Sequence, residues 1–244
     1  MDSRDLRFLH FGDLETASEA AARTIARTLI YAVRVRSKAT LVLAGGSTPR
    51  SIHAHLADPI LSSHIPWNLV HLFWGDERCV PPDDATSNFA MAKATLLDLV
   101  EIPPGNIHRI HGELPPPEAA SLYEAELRRC FGDDGPPAFD CVMLGMGADG
   151  HTASLFPGDP LLDETKRWVG ITDGLHAEPP VPRVSLTLPA LNAAQNVVFV
   201  VSGKAKSRIV HDIEKHAEGL RQYPAEQVRS TGSTLWFVAA EPPA

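Results

Sequence analysis

The sequence predicts an α/β fold: a mostly parallel sheet covered by helices on both faces, with additional strands. Three observations predict it. Short apolar runs recur along the 244 residues, separated by helical stretches. The runs are apolar at successive rather than alternate positions, as in strands buried on both faces. Glycine-rich loops follow several of the runs, as at the strand ends of a doubly wound, Rossmann-like sheet.

The elements follow in order. Glu15 to Lys38, rich in Ala, Arg, Thr and Ile, reads as a long helix. Thr40 to Ala44 is a strand, and Gly45-Gly46-Ser47-Thr48 leads into a helix from Pro49 to about Ala57. Proline suits a first helical position, and Ser47 or Thr48 suits the cap before it. Val70 to Trp74 is a buried strand ending at Gly75-Asp76-Glu77-Arg78. Ser87 to Val100 and Glu118 to Phe131 read as helices, and Phe139 to Leu144 as a strand. Trp168 to Thr172, Val197 to Val201 and Leu235 to Ala239 are further strands, and Ala205 to His216 is a helix. No repeat and no long flexible linker interrupts this order, so residues 1–244 are expected to form a single α/β domain.

Charged residues make up 21% of the chain and its net charge is −8. That balance argues against nucleic acid and anionic membranes as partners, because binding them relies on excess Lys and Arg. A small anion needs only a few local donors. Cys79, Cys130 and Cys141 have no C-x-x-C spacing, and an odd, sparse set fits a reducing compartment. No signal-type run opens the chain, and no apolar run approaches the roughly 18 residues of a membrane span. The cytoplasm is the expected location.

Ligands of open α/β sheets bind beyond the carboxyl ends of the strands. Three loops are expected there, Gly45–Pro49, Gly75–Arg78 and Gly145–His151. In the first, a glycine pair before a helix start exposes backbone N–H groups, which suits a phosphate or simply makes a turn. In the second, Asp76, Glu77 and Arg78 could do acid–base work, fix a polyol or form a surface ion pair. The third, Gly145-Met-Gly-Ala-Asp-Gly-His151, contains G-x-G-x-x-G. It lacks the context of a dinucleotide site: Pro157 and Pro160 stop a following helix, and no acid stands about 20 residues on at the end of a strand. Its glycines instead suit a sharp turn that presents His151, with Asp149 two residues away to orient the ring or stabilise its cation.

Elsewhere, Arg183 and either Lys204 or Lys206 place cations near helix starts, where only a shared anion makes them favourable. The pairs His53/His55 and His108/His111 lack a metal motif and read as ordinary. No G-x-S-x-G elbow occurs.

Taken together, LAGGSTPR, WGDERCVPPDDATSNF, GMGADGHTASLFPG, RVSLTLPALNAA and VVSGKAK resemble the 6-phosphogluconolactonase family, in that family's order and across nearly the whole chain. The related glucosamine-6-phosphate deaminases typically continue Gly-His-Ile-Ala-Phe-Asn-Glu-Pro. Here the chain reads Gly-His-Thr-Ala-Ser-Leu-Phe-Pro, without that catalytic glutamate. Ser185 and Phe89 stand where Thr and Tyr are common in the family.

The resemblance implies hydrolysis of 6-phospho-D-glucono-1,5-lactone, with His151 as acid–base residue and Asp149 supporting it. It implies that Gly45, Gly46, Ser47, Thr48, Arg183 and Lys206 hold the substrate phosphate. Lys206 rather than Lys204 matches the family's Gly-x-x-Lys spacing from Gly203. Asp76 and Arg78 join the expected substrate-binding set. No cofactor and no metal are expected, and the expected state is a monomer or weak homodimer. A deaminase and a non-catalytic sugar-phosphate sensor are the alternatives; the sensor is disfavoured by the lack of a basic helix-turn-helix region.

Overall fold

The computed structural model describes residues 5–175, 177–215 and 223–239. Strand β1 (Asp5–Phe11) leads into helix α1 (Leu14–Arg36). Asp13 caps α1 by accepting the Thr16 amide at 2.7 Å, and Ser37 ends it in the left-handed region at φ 57°. Its buried face is largely alanine, which lets the helix lie close against the sheet. Then come β2 (Ala39–Leu43), α2 (Ser47–Ala57), the single turn α3 (Pro59–Ser62) and β3 (Val70–Trp74). They are followed by β4 (Asp76–Arg78), α4 (Asn88–Ala92), β5 (Ile107–His108), α5 (Pro116–Phe131) and β6 (Cys141–Leu144). The chain continues through β7 (Val169–Thr172), β8 (Arg183–Leu186), α6 (Leu188–Asn192), β9 (Asn196–Ser202), α7 (Lys204–Lys215), α8 (Pro224–Gln227) and β10 (Ser233–Ala239).

Seven strands form one sheet in the order β1-β10-β9-β6-β2-β3-β5, and all its pairings are parallel. Every residue of β2 and β6 is buried, as expected for central strands covered on both faces. Large rings fill the layers beside them: Phe199 stacks on Trp236 at 4.0 Å, and Phe73 packs against Phe139. From β2 the chain steps outward to β3 and β5, then returns to β6 on the other side of β2. This reversal opens a crevice at the carboxyl ends of β2 and β6.

Several expectations need correction. Asp76–Arg78 is a strand rather than a loop, and Val169–Thr172 lies outside the main sheet. Both belong to a separate antiparallel sheet in the order β4-β8-β7. Gly75 joins the two sheets, since its N–H donates to Leu43 O at 2.9 Å and its carbonyl accepts Leu186 N at 2.8 Å. The helix expected over Ser87–Val100 is shorter. After α4 the ladder widens into one π turn at Lys93–Leu97, closed by Asp98 N donating to Lys93 O, and ends. Neither Ser47 nor Thr48 caps α2; Gly46 takes that position at φ 104°. Strands β1, β5 and β8 are additions, and His216, expected to end the last long helix, lies outside the described residues.

Helix α2 is anchored through His53, which is fully buried with its Nδ1 3.0 Å from Thr95 Oγ1. Burial, helped by Arg50, pushes the imidazole down from 6.5 to about 4. A folded-state value below the ordinary one means that folding favours the neutral ring. That contribution is full above the unfolded value and is lost as pH falls from about 6.5 toward 4. Between pH 7 and pH 5 the loss is about 2 kcal/mol. The variant His53→Leu should therefore lose less stability over this interval than the parent, by about that amount, in denaturant unfolding at the two pH values.

Candidate active site

The crevice holds an open cavity of about 220 Å³. The phosphate-type loop after β2, the β4 strand and the loop after β6 meet there. Gly45, Gly46, Ser47 and Thr48 line it, as do Asp76 and Arg78. So do His151, Arg183 and Lys206, the last rather than the exposed Lys204. Asp149 stands behind His151 and is absent from the lining.

The loop after β6 is built to hold one imidazole. His151 Nδ1 lies 2.6 Å from Asp149 Oδ1, and the same oxygen accepts the His151 backbone N–H at 3.1 Å. An ionised carboxylate only accepts, so Nδ1 carries a proton, and in the neutral ring Nε2 is the nitrogen with the lone pair. Burial raises the Asp149 carboxyl, but the bonds from His151 outweigh it and hold it below the ordinary range. The ring leans on Phe156 with centroids 4.6 Å apart. The glycines explain the motif. A Cβ on Gly147 would lie 2.1 Å from His151 Nδ1, so the pair packs directly on bare backbone. Gly150, at φ 83°, turns the chain beneath the Tyr223 ring.

The start of α2 is open. No side chain caps it, so the amides of Ser47 and Thr48 have no capping partner of that kind. Gly46 at φ 104° aims this turn, a conformation that favours glycine.

Three cations surround the cavity, and among the described residues none of the three forms an ion pair within 4.0 Å. Arg78 and Arg183 face each other directly across β4 and β8. Like charges opposite one another are unfavourable unless an anion lies between them. Each is held through one terminal nitrogen on neutral oxygens. Arg78 Nη1 donates to Thr86 O at 2.6 Å and Asn88 Oδ1 at 2.7 Å; Arg183 Nη2 donates to the Glu178 and Pro179 carbonyls, both at 3.1 Å. The Nε of each is buried without a partner. Burial lowers the Arg183 value, with Asp76 opposing and Arg78 reinforcing, and burial alone lowers Lys206. An anion would relieve all three.

Glu77, one of the acids weighed in the sequence, faces away from the cavity. Its carboxylate accepts the amides of Asn88, Phe89 and Arg78 and the Ser87 hydroxyl, which places it at the start of α4. Burial pushes its carboxyl up, and these bonds oppose the rise. Asp76 accepts Ser154 Oγ at 2.6 Å, and Ser154 N in turn donates to Ser185 Oγ at 3.2 Å. These links tie the His151 loop to the small sheet. Sequence reasoning missed Asn88 and Ser154, because polar residues inside motif strings carry no local mark of a partner distant in the chain.

Of the histidines read as ordinary, His108 approaches Glu126 and Cys130 in a metal-like grouping. Its atoms are already engaged: His108 contacts Glu126 at 2.6 Å and His71 at 2.9 Å, and Arg129 binds both Glu126 oxygens.

Residues 12–236 match the family model described as glucosamine-6-phosphate isomerases/6-phosphogluconolactonase. The chain is 38% identical over 225 residues to the 6-phosphogluconolactonase of Synechocystis sp., covering 90% of each. A crystal structure of 6-phosphogluconolactonase from Thermotoga maritima is 35% identical and superposes with TM-score 0.82, over 97% of this chain and 99% of that one. A monomeric glucosamine-6-phosphate deaminase, 18% identical with TM-score 0.79 over 96% of this chain and 98% of its own, shares the fold. With a parallel sheet, a histidine–aspartate pair and an open helix start in one crevice, and with these likenesses, the chain belongs to the glucosamine-6-phosphate isomerase/6-phosphogluconolactonase family.

Proposed function

We propose that this chain hydrolyses 6-phospho-D-glucono-1,5-lactone to 6-phospho-D-gluconate, the lactonase step of the oxidative pentose phosphate pathway. The observation that carries the reading is one cavity with a carboxylate-held imidazole and three cations that form no ion pair within 4.0 Å among the described residues. The phosphate sits on the Ser47 and Thr48 amides with Arg183 and Lys206. It is remote from the reacting carbonyl, so it orients the substrate rather than reacting.

His151 Nε2 takes a proton from water as the water oxygen bonds to C1. The tetrahedral intermediate collapses by breaking the bond from C1 to the ring oxygen. The imidazolium returns its proton to that oxygen, and the open chain leaves as the acid. Asp149 stabilises the charged ring between the two transfers. No covalent bond to the protein forms at any step, and the net reaction consumes one water.

The deciding experiment is hydrolysis of the phosphorylated lactone by the full chain, with the spontaneous rate subtracted. A rate no greater than the spontaneous one would overturn the reading. Ammonia release from glucosamine 6-phosphate would favour the deaminase instead. Lys206→Ala should raise KM for the lactone about 10-fold or more with a smaller change in kcat, since it removes one charged contact to a non-reacting group. Steady-state kinetics at fixed ionic strength check this.

A further inference from the structure

Asp76 and Arg78 lie two residues apart on β4, so their side chains share a face of the strand. A carboxylate and a guanidinium so placed attract one another. Among the described residues they form no ion pair within 4.0 Å, and a third side chain bonds to both. Asn88, at the start of α4 and 1% exposed, donates from Nδ2 to the Asp76 carbonyl at 2.9 Å and to Asp76 Oδ1 at 3.2 Å. Its Oδ1 accepts Arg78 Nη1 at 2.7 Å. Arginine only donates, which fixes the amide with its oxygen toward Arg78 and its NH2 toward Asp76. One neutral group thus satisfies an anion and a cation with opposite ends.

The location of Asn88 is set from two sides. Glu77 accepts its backbone amide at 2.7 Å, and Gly45 lies against it so tightly that a Cβ there would fall 1.7 Å from Asn88 Oδ1. The residue therefore touches the β4 strand and the loop before α2 at once. Among the described residues Arg78 is anchored on neutral oxygens, its Nε is buried without a partner, and Arg183 is its neighbour across the sheet.

We propose that Asn88 is a positioning residue that separates Asp76 from Arg78 and thereby reserves the Arg78 charge, together with that of Arg183, for the phosphate of the substrate. The assignment rests on the sugar-phosphate reading above. A carboxylate in place of the amide would pair with Arg78 and repel phosphate; no side chain there would let Asp76 approach Arg78. Either change withdraws one cation from the anion seat.

The test compares Asn88→Asp with the parent chain. Aspartate has nearly the same shape and is favourable in the first turn of a helix, so α4 should still start there. The expected result is a KM for the phosphorylated lactone raised about 10- to 100-fold, with kcat changed about threefold or less. The dissociation constant for 6-phosphogluconate, measured by calorimetry, should rise by a similar factor. Asn88→Ala should shift both quantities in the same direction, and it decides the matter if the aspartate variant does not fold. A lower Tm with unchanged KM and unchanged 6-phosphogluconate affinity would overturn the proposal, as a merely structural role would. A fall in kcat at constant KM would also overturn it, placing Asn88 in the chemical step. Absence of lactone hydrolysis by the parent chain would sink the functional reading instead, while the affinity comparison would still judge Asn88.

Discussion

His151→Ala should lower kcat for the phosphorylated lactone by about 10²- to 10⁴-fold, the range typical of a lost general acid–base group. The affinity for 6-phosphogluconate should stay within a few-fold of the parent, because the phosphate contacts proposed here come from other side chains and from the start of α2. This split separates a chemical role from a binding one. The ring is 31% exposed, so Tm should move little. Single-turnover hydrolysis, corrected for the spontaneous reaction, together with calorimetry on the same preparation, checks both halves. Full activity in the variant would remove His151 from the mechanism.

Asp149→Ala should come next in size, with kcat reduced about 10²- to 10³-fold, because it removes the orienting bond and the charge that supports the imidazolium. Asp149→Asn should cost less, about 10-fold. In many triads an asparagine turns its amide toward the histidine and selects the wrong tautomer. Here one oxygen of Asp149 accepts both the ring N–H and the backbone N–H of His151. Turning the amide would set its NH2 against that backbone N–H, so the asparagine oxygen stays in place and only the charge is lost. The carboxyl is held below its ordinary range, largely by these bonds working against burial. It is therefore ionised throughout the neutral and mildly acidic range, and the ratio between parent and asparagine variant should hold steady there. The ratio should shrink only at pH values below the ordinary carboxyl range, where protonation makes the parent resemble the variant. Parallel pH–rate profiles measure it; an alanine variant no worse than asparagine would deny the orienting role.

The long helix and the strands Val70–Trp74, Val197–Val201 and Leu235–Ala239 were legible because helix-favouring composition and runs of apolar residues are local signals. Two of the three loops, Gly45–Pro49 and Gly145–His151, were legible for the same reason. Glycine pairs and a proline mark strand ends and helix starts, and in a parallel sheet those ends share one edge. The small sheet was not legible. Asp76–Arg78 is only three residues long and polar, with no periodicity to reveal a strand. Its partner Arg183–Leu186 lies about a hundred residues later, and pairing over that separation leaves no mark in either segment. Asn88 escaped notice in the same way, since its meaning comes from two charges that flank it in space.

The sequence by itself determined the parallel α/β order, the placing of glycine-rich loops at strand ends and the identity of the groups able to exchange a proton or attract an anion. Those properties depend on neighbours within a few residues. The tertiary structure alone decided that Arg78 faces Arg183, that Asn88 lies between Asp76 and Arg78, and that Ser154 ties the His151 loop to Asp76. Strand register and helix rotation set these contacts, and both follow from packing of segments far apart in the chain.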